Sequence, residues 1–237
     1  MLKAVFFDLD GTLIHMDEKK FLEIYFGTME SWTKTCGYDG ERFISGVVAG
    51  TRAMYKNEGK ATNEDVFWQH FGAAYGSVSE DEKQVMDDYY NGEFEKTLTA
   101  CSGTPEAREI IKFCREAGLI TVLSTNPLFP RTATLQRMAL SGLSEADFHL
   151  VTSYENSSYC KPNPAYFTDL LHYFDLAPCE VLVFGNNTFE DGECALGAGI
   201  KCFVIETEDL IESDKATHDF ERIKITEVID TIRKKLQ

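Results

Sequence analysis

Residues 4–13 read Ala4-Val5-Phe6-Phe7-Asp8-Leu9-Asp10-Gly11-Thr12-Leu13. Four apolar residues run without alternation, and two carboxylates follow two positions apart. An unbroken apolar run of this length predicts a parallel strand buried on both faces. A carboxylate directly behind such a strand is costly to bury unless something pairs with it. If extension continued to Asp10, side-chain alternation would put Asp8 and Asp10 on one face. Gly11 and Thr12 are turn residues and break the strand. Two acids would then stand at the carboxyl end of a buried strand, where open α/β sheets hold their ligands. Two like charges that close need a counter-ion, and a hard divalent cation held by oxygens is the simplest.

Working outward, residues 17–97 carry helical spacing and no strand signal. Phe21, Ile24, Tyr25 and Met29 mark a first helix. Phe43, Val47 and Met54 mark a second, which Gly46 and Gly50 are expected to loosen. Thr62 or Asn63 caps a third, and Ser79 followed by acids opens a fourth. Helices inserted straight behind a first strand cannot cover a parallel sheet from there. They are expected to form a separate bundle, joined through residues 14–16 and 98–103.

Strands and helices then alternate. Apolar, β-branched runs at 119–123, 149–152, 180–184 and 201–205 predict strands. Helices are expected behind Thr104-Pro105, over about 131–140, behind Asn163-Pro164, behind Thr188, and over 225–236. The polar stretch 206–224 is assigned no element. The pattern predicts an α/β fold with a doubly wound parallel sheet.

Composition narrows the partners. The 237 residues hold 23 Lys plus Arg against 39 Asp plus Glu, a formal charge of −16. Such a surface repels phosphate backbones, so nucleic acid is not an expected partner. Seven scattered cysteines, with no CxxC and no zinc spacing, fit reduced thiols in a cytoplasmic protein. The N-terminal stretch does not read as a signal peptide, and no run reaches membrane-spanning length.

The string Asp8-Leu9-Asp10-Gly11-Thr12-Leu13 behind a hydrophobic strand resembles the first motif of the haloacid dehalogenase-like (HAD) hydrolase superfamily. The resemblance implies a Rossmann-like core of residues 1–15 and 99–237 and a helical cap of the C1 type over 16–98. It implies Asp8 as nucleophile and Asp10 as general acid and base. Thr125 with Asn126 matches the second motif, a hydroxyl followed by Asn that holds the phosphoryl group, although Ser124 competes for the hydroxyl role. Lys161, in Lys-Pro-Asn-Pro, matches the third. The fourth usually runs Gly-Asp with acids downstream. Here it is Gly185-Asn186-Asn187-Thr188-Phe189-Glu190-Asp191, so the first acid is replaced by Asn186 while Asp191 remains.

The implied cofactor is Mg²⁺, bridging Asp8 and the substrate phosphate, with the Asp10 backbone carbonyl, Asn186 and Asp191 completing its shell. An amide brings no charge, so weaker metal binding is expected unless Asn187 or Glu190 compensates. The implied reaction is hydrolysis of a small-molecule phosphate ester through an aspartyl-phosphate. Members that cleave carbon–halogen bonds usually lack the second Asp. The alternatives are a phosphomutase on the same fold, or a weakly active phosphoester-binding protein suggested by Asn186. Cap cations (Lys19, Lys20, Arg52, Lys56) and the residues behind the second motif, Phe129 and Arg131, are candidates for facing the substrate. Oligomeric state is not readable.

Overall fold

The structure is a computed structural model that describes residues 1–237. The chain runs β1 (Ala4–Phe7), β2 (Ile14–Met16), α1 (Glu18–Thr35), α2 (Gly40–Met54), α3 (Asn63–Tyr75) and α4 (Glu80–Asn91). A short helical stretch, Glu93–Ala100, leads to β3 (Cys101–Gly103), α5 (Ala107–Glu116), β4 (Ile120–Leu123), α6 (Arg131–Ala139), β5 (Leu150–Val151) and α7 (Ala165–Tyr173). The remainder is β6 (Val181–Gly185), α8 (Cys194–Gly197), β7 (Lys201–Ile205), β8 (Glu221–Ile223) and α9 (Val228–Leu236).

Six strands form one parallel sheet in the order β5-β4-β1-β6-β7-β8. β1 is central, and all four of its side chains are buried. Val5 and Phe7 belong to the apolar layer that includes Ile110, Ile111 and Cys114 of α5 and Ile232 of α9. Ala4 and Phe6 belong to the opposite layer, with Phe167, Leu170 and Leu171 of α7. This two-sided covering is why the strand reads as a continuous apolar run. Each buried phenylalanine is worth about 1.5–3 kcal/mol of transfer free energy.

Register assembles the site. Phe7 of β1 is level with Leu123 of β4 and with Phe184 of β6. The next residues continue the ladder, Asp8 N donating to Phe184 O at 2.9 Å and Ser124 N to Phe7 O at 2.7 Å. Three loops carrying Asp8, Thr125 and Asn186 therefore leave the sheet at one level, at its carboxyl edge.

The helices of residues 18–100 pack a second apolar cluster, including Phe21, Tyr25, Phe43, Phe67, Phe71, Tyr89 and Phe94. Ala133, Tyr154 and Cys160 from beyond the bundle complete it. Gly46 and Gly50 do not loosen α2. A Cβ at Gly46 would lie 2.8 Å from the Phe71 ring, and one at Gly50 2.5 Å from the Phe67 ring. Both glycines let α2 and α3 approach closely. The two expected joints lie side by side. They pair as antiparallel strands, with Ile14 opposite Gly103 and Met16 opposite Cys101.

Helix starts follow local capping chemistry. Thr62 caps α3 through Asp65 N, and Ser79 with Glu82 forms a capping box on α4. Thr104 does not cap. α5 begins at Ala107, whose N–H bonds the Thr104 carbonyl at 3.2 Å. Thr188 does not cap either. Asn187 does, accepting from Phe189 N and Glu190 N, and the turn it opens (Thr188–Glu193) is a π-helix that leads into α8. Residues 221–223, in the stretch assigned no element, add an edge strand to the sheet. All seven cysteines are free, and Cys114 and Cys202 are buried packing residues.

Candidate active site

Lys161 is the buried centre of the site. Its side chain is 1% exposed. Nζ donates to Asp8 Oδ1 at 2.8 Å and to Asp191 Oδ1 at 2.6 Å. Desolvation disfavours this ammonium, but the Asp191 and Asp8 carboxylates outweigh it and hold the lysine well above its ordinary range. Asn126 fixes the backbone at this point. Its Oδ1 accepts from Lys161 N at 3.2 Å, and its Nδ2 donates to Lys161 O at 3.3 Å and to Glu190 Oε2 at 3.0 Å. The Asn126 amide is therefore spent on holding Lys161 and Glu190 in place.

Burial pushes the Asp8 carboxyl up to about 7; Lys161 opposes this, and the Asp191 and Asp10 carboxylates add to it. Asp10 does not lie on an extension of β1. The chain turns after Leu9, whose carbonyl accepts from Thr12, Leu13 and Ile14 N–H. Even so, Asp8 and Asp10 line the same cavity. Asp10 Oδ2 lies 3.0 Å from Arg137 Nη1, while its Oδ1 is buried without a partner. Burial raises the Asp10 carboxyl, and Arg137 and then Lys161 pull it back.

The two hydroxyls of the second motif separate. Ser124 Oγ donates to Phe7 O at 3.2 Å and is consumed by the sheet. Thr125 lines the cavity, its carbonyl held by Thr152 Oγ1 at 2.8 Å and the Tyr166 hydroxyl at 3.0 Å.

Around the fourth motif, Asn186 Nδ2 donates to Asp209 O at 2.6 Å, which turns its Oδ1 toward Thr12 Oγ1 at 3.5 Å. That hydroxyl is also 3.5 Å from Asp8 Oδ2. Asp191 uses both oxygens, Oδ1 on Lys161 and Oδ2 on Asn187 N at 3.1 Å. Asp191, expected among the metal ligands, is here the counter-ion and brace of Lys161. The glycines here are forced by close approach. A Cβ on Gly185 would lie 2.2 Å from the Asp191 carboxyl, and one on Gly11 2.0 Å from Asn186 Nδ2. Gly11 also sits at φ +80°. Gly11→Ala is therefore expected to cost about 1–3 kcal/mol of stability. Urea unfolding measures this, and an unchanged midpoint would contradict the packing described.

The cavity encloses about 1020 Å³. The helical bundle supplies Phe21, Tyr25, Phe26 and Tyr55 to its wall. Of the proposed substrate-facing residues, Phe129 lines it. Arg131 does not, and pairs with Glu145 at the surface. The cap lysines and Arg52 are absent from the lining. Arg137, which the sequence did not single out, lines it and is 1% exposed.

A family model for haloacid dehalogenase-like hydrolases matches residues 2–199. The chain belongs to that family. It is a hydrolase on a HAD-type fold, and solved structures agree over its length. A putative β-phosphoglucomutase from Thermotoga maritima is 21% identical with a TM-score of 0.59, covering 98% of this chain and 99% of that one. A HAD phosphatase from Thermococcus onnurineus is 18% identical with a TM-score of 0.60, covering 98% of each chain. A 2-haloacid dehalogenase from Pseudomonas syringae pv. Tomato is 16% identical with a TM-score of 0.64, covering 99% of each. At these identities the likeness shows the fold alone. None of the curated proteins matches the chain. No helix of this hydrolase is long and apolar enough to cross a membrane.

Proposed function

We propose that this hydrolase is a Mg²⁺-dependent phosphohydrolase that acts on a small phosphomonoester through an aspartyl-phosphate on Asp8. The observation that supports it most is the buried Asp8–Lys161–Asp191 cluster with a second carboxylate, Asp10, in the same cavity. A halogen-cleaving enzyme leaves Asp10 without a part in the chemistry.

In the first step an Asp8 oxygen attacks phosphorus, the bond from phosphorus to the ester oxygen breaks, and Asp10 gives that oxygen a proton. The product alcohol leaves, and Asp10 is now a base. It takes a proton from water as the water oxygen attacks phosphorus. The phosphorus–Asp8 bond breaks, releasing inorganic phosphate and restoring both carboxyl groups. Lys161 neutralises Asp8 and the phosphoryl oxygens. The Thr125 hydroxyl holds one of those oxygens.

The donor set fits magnesium, with fewer charges than usual. Asp8 Oδ2 and Asn186 Oδ1 have no partner closer than the shared Thr12 hydroxyl at 3.5 Å. These are hard oxygens, and no set of three His, Cys, Asp or Glu side chains gathers as a cage. Mg²⁺ commonly uses one or two carboxylates plus water and substrate phosphate. Asp8 and Asn186 would hold it, with the Asp10 backbone carbonyl as the third protein ligand. When bound it would spread the phosphate charge.

The helices of residues 16–98 act as the cap that encloses the leaving group and excludes water. Seven free cysteines suit the cytoplasm.

Phosphate release from para-nitrophenyl phosphate and a panel of small phosphomonoesters, with and without Mg²⁺, tests this function. Metal-dependent turnover is expected. Isomerisation of a sugar phosphate without net release would instead favour the mutase. Binding without turnover would favour a phosphoester-binding protein.

Proton linkage gives a second, activity-free test. Because burial raises the Asp8 carboxyl to about 7, the folded protein keeps a proton there that the unfolded chain loses near the ordinary carboxylate range. This group's contribution to stability therefore falls as pH rises from about 4 to about 7, and a cation that replaces the proton restores it. At 100 times its Kd a ligand adds about 2.7 kcal/mol. Each kcal/mol shifts the Tm of a chain this size by about 2–4 °C. Mg²⁺ is expected to raise the Tm by several degrees at pH 8 and far less at pH 5. Equal shifts at both pH values would remove Asp8 from the metal site.

A further inference from the structure

We propose that Arg137 receives a second anionic group, a carboxylate or a second phosphate, on the leaving-group side of the substrate. This rests on the phosphoester function above and deepens it by naming a substrate class.

Arg137 lies in the last turn of α6, is 1% exposed and lines the cavity. A guanidinium presents five N–H donors in a fixed fork that matches a carboxylate or phosphate with two parallel bonds. Here the fork is poorly filled. Nη1 meets one oxygen of Asp10 at 3.0 Å, and Nη2 reaches Thr134 Oγ1 at 3.4 Å. Nε is buried with no acceptor at all. Buried polar groups are rarely left unpaired, and an exception at a ligand cavity points to the ligand as the missing partner.

The group is also held still. Its Cζ lies 4.6 Å from the centroid of the Phe129 ring and 6.0 Å from that of Phe21. Phe21 comes from α1 and Phe129 from the loop before α6, so the two aromatic walls meet over the cation. A guanidinium fixed in this way is pre-organised for an anion of fixed geometry.

Charge in the cavity selects the same place. Asp17, Glu18, Glu190, Glu208 and Asp209 line it in addition to the catalytic acids, and Arg137 is the one Lys or Arg that does. Lys161 is committed to Asp8, Asp191 and the transferred phosphoryl group. A substrate with a second anion thus finds one complementary cation, beside the carboxylate assigned to the leaving oxygen. A leaving group without such an anion leaves Nε unpaired.

Calorimetric binding of non-hydrolysable phosphonates in Mg²⁺ separates the possibilities. The probes are phosphonoacetate, propane-1,3-bisphosphonate and, with no second anion, propylphosphonate. The proteins are wild type, Arg137→Met and Arg137→Lys. Wild type is expected to bind one of the two-anion probes at least about tenfold more tightly than propylphosphonate, a gap typical of a charge-assisted pair. The tighter of the two identifies carboxylate or phosphate. Arg137→Met should close the gap while propylphosphonate binding shows that the site is still formed. Arg137→Lys, which keeps the charge without the fork, should retain part of it and serves if the Met variant does not fold.

Equal affinities in wild type would overturn the proposal. So would a proportionate loss of all three probes in the variants, which would make Arg137 a counter-ion of Asp10 only. Turnover of para-nitrophenyl phosphate is read in parallel. Turnover without the gap overturns the anion site alone. The gap without turnover overturns the hydrolytic function and supports the anion site.

Discussion

Asp8→Asn should lower kcat for every phosphomonoester by at least about 10,000-fold, the scale seen when a nucleophile is removed from a covalent mechanism. The amide keeps the volume of the side chain and can still accept from Lys161 Nζ, which is 2.8 Å away in the native protein. Lys161 also keeps Asp191 at 2.6 Å, so the ammonium is not stranded. The substitution also removes the Asp8 charge itself, whose burial is what raises that carboxyl most. Lost pairing and relieved desolvation oppose each other, and the stability change should stay within about 1 kcal/mol. Phosphate release and urea unfolding on one preparation check both halves. An inert, normally stable variant is expected. Turnover within tenfold of wild type would remove Asp8 from the chemistry.

Lys161→Met should behave differently, losing both activity and stability. The side chain is buried, and its ammonium stands between two carboxylates. Met fills similar volume, so little cavity is created. Without the ammonium, Asp8 and Asp191 face a dry interior with no cation between them. Removing one partner of a buried pair costs about 3–5 kcal/mol. The unpaired carboxylates can recover part of this by binding protons, so the variant should gain stability on acidification from pH 8 to pH 5. Asp8→Asn in the Lys161→Met background should restore part of the loss, because it removes one of the stranded charges. Urea midpoints for the two single variants and the double variant at both pH values test the coupling. Additive effects, or a Lys161→Met protein as stable as wild type, would show that the three groups do not share their charge.

What was legible in the sequence was whatever a single segment determines by itself. β1, β4, β6 and β7 are short apolar runs because helices cover both faces of the sheet, and each run was visible. Asp8, Asp10, Thr125, Asn126, Asn186 and Asp191 follow strand ends or loops that converge because the strands are level, and all six line one cavity. Edge elements were harder. β8 is Glu221-Arg222-Ile223, with two of its three side chains exposed, so it carries no burial pattern. Gly46 and Gly50 looked like helix weaknesses because the Phe71 and Phe67 rings they accommodate are on another helix.

Arg137 is the clearest case of a residue that tertiary structure alone reveals. An arginine in the last turn of a helix reads as a solvated cation favoured by the helix dipole. Only the closure of Phe21 and Phe129 over it, and the turn that brings Asp10 to 3.0 Å, make it part of the cavity. Asn126 shows the converse. Its position was readable, yet its amide is spent on Lys161 and Glu190, a use that depends on loops 35 and 64 residues away in sequence.

The most direct test of the account is capture of the covalent intermediate. The enzyme would be acid-quenched during turnover of a phosphomonoester in Mg²⁺, reduced with borohydride, digested and sequenced by mass spectrometry. Reduction of an aspartyl-phosphate turns that residue into homoserine. Homoserine is expected at position 8 alone, and none in Asp8→Asn or before substrate is added. Steady turnover with no homoserine at position 8, or with the modification at another carboxylate, would contradict it.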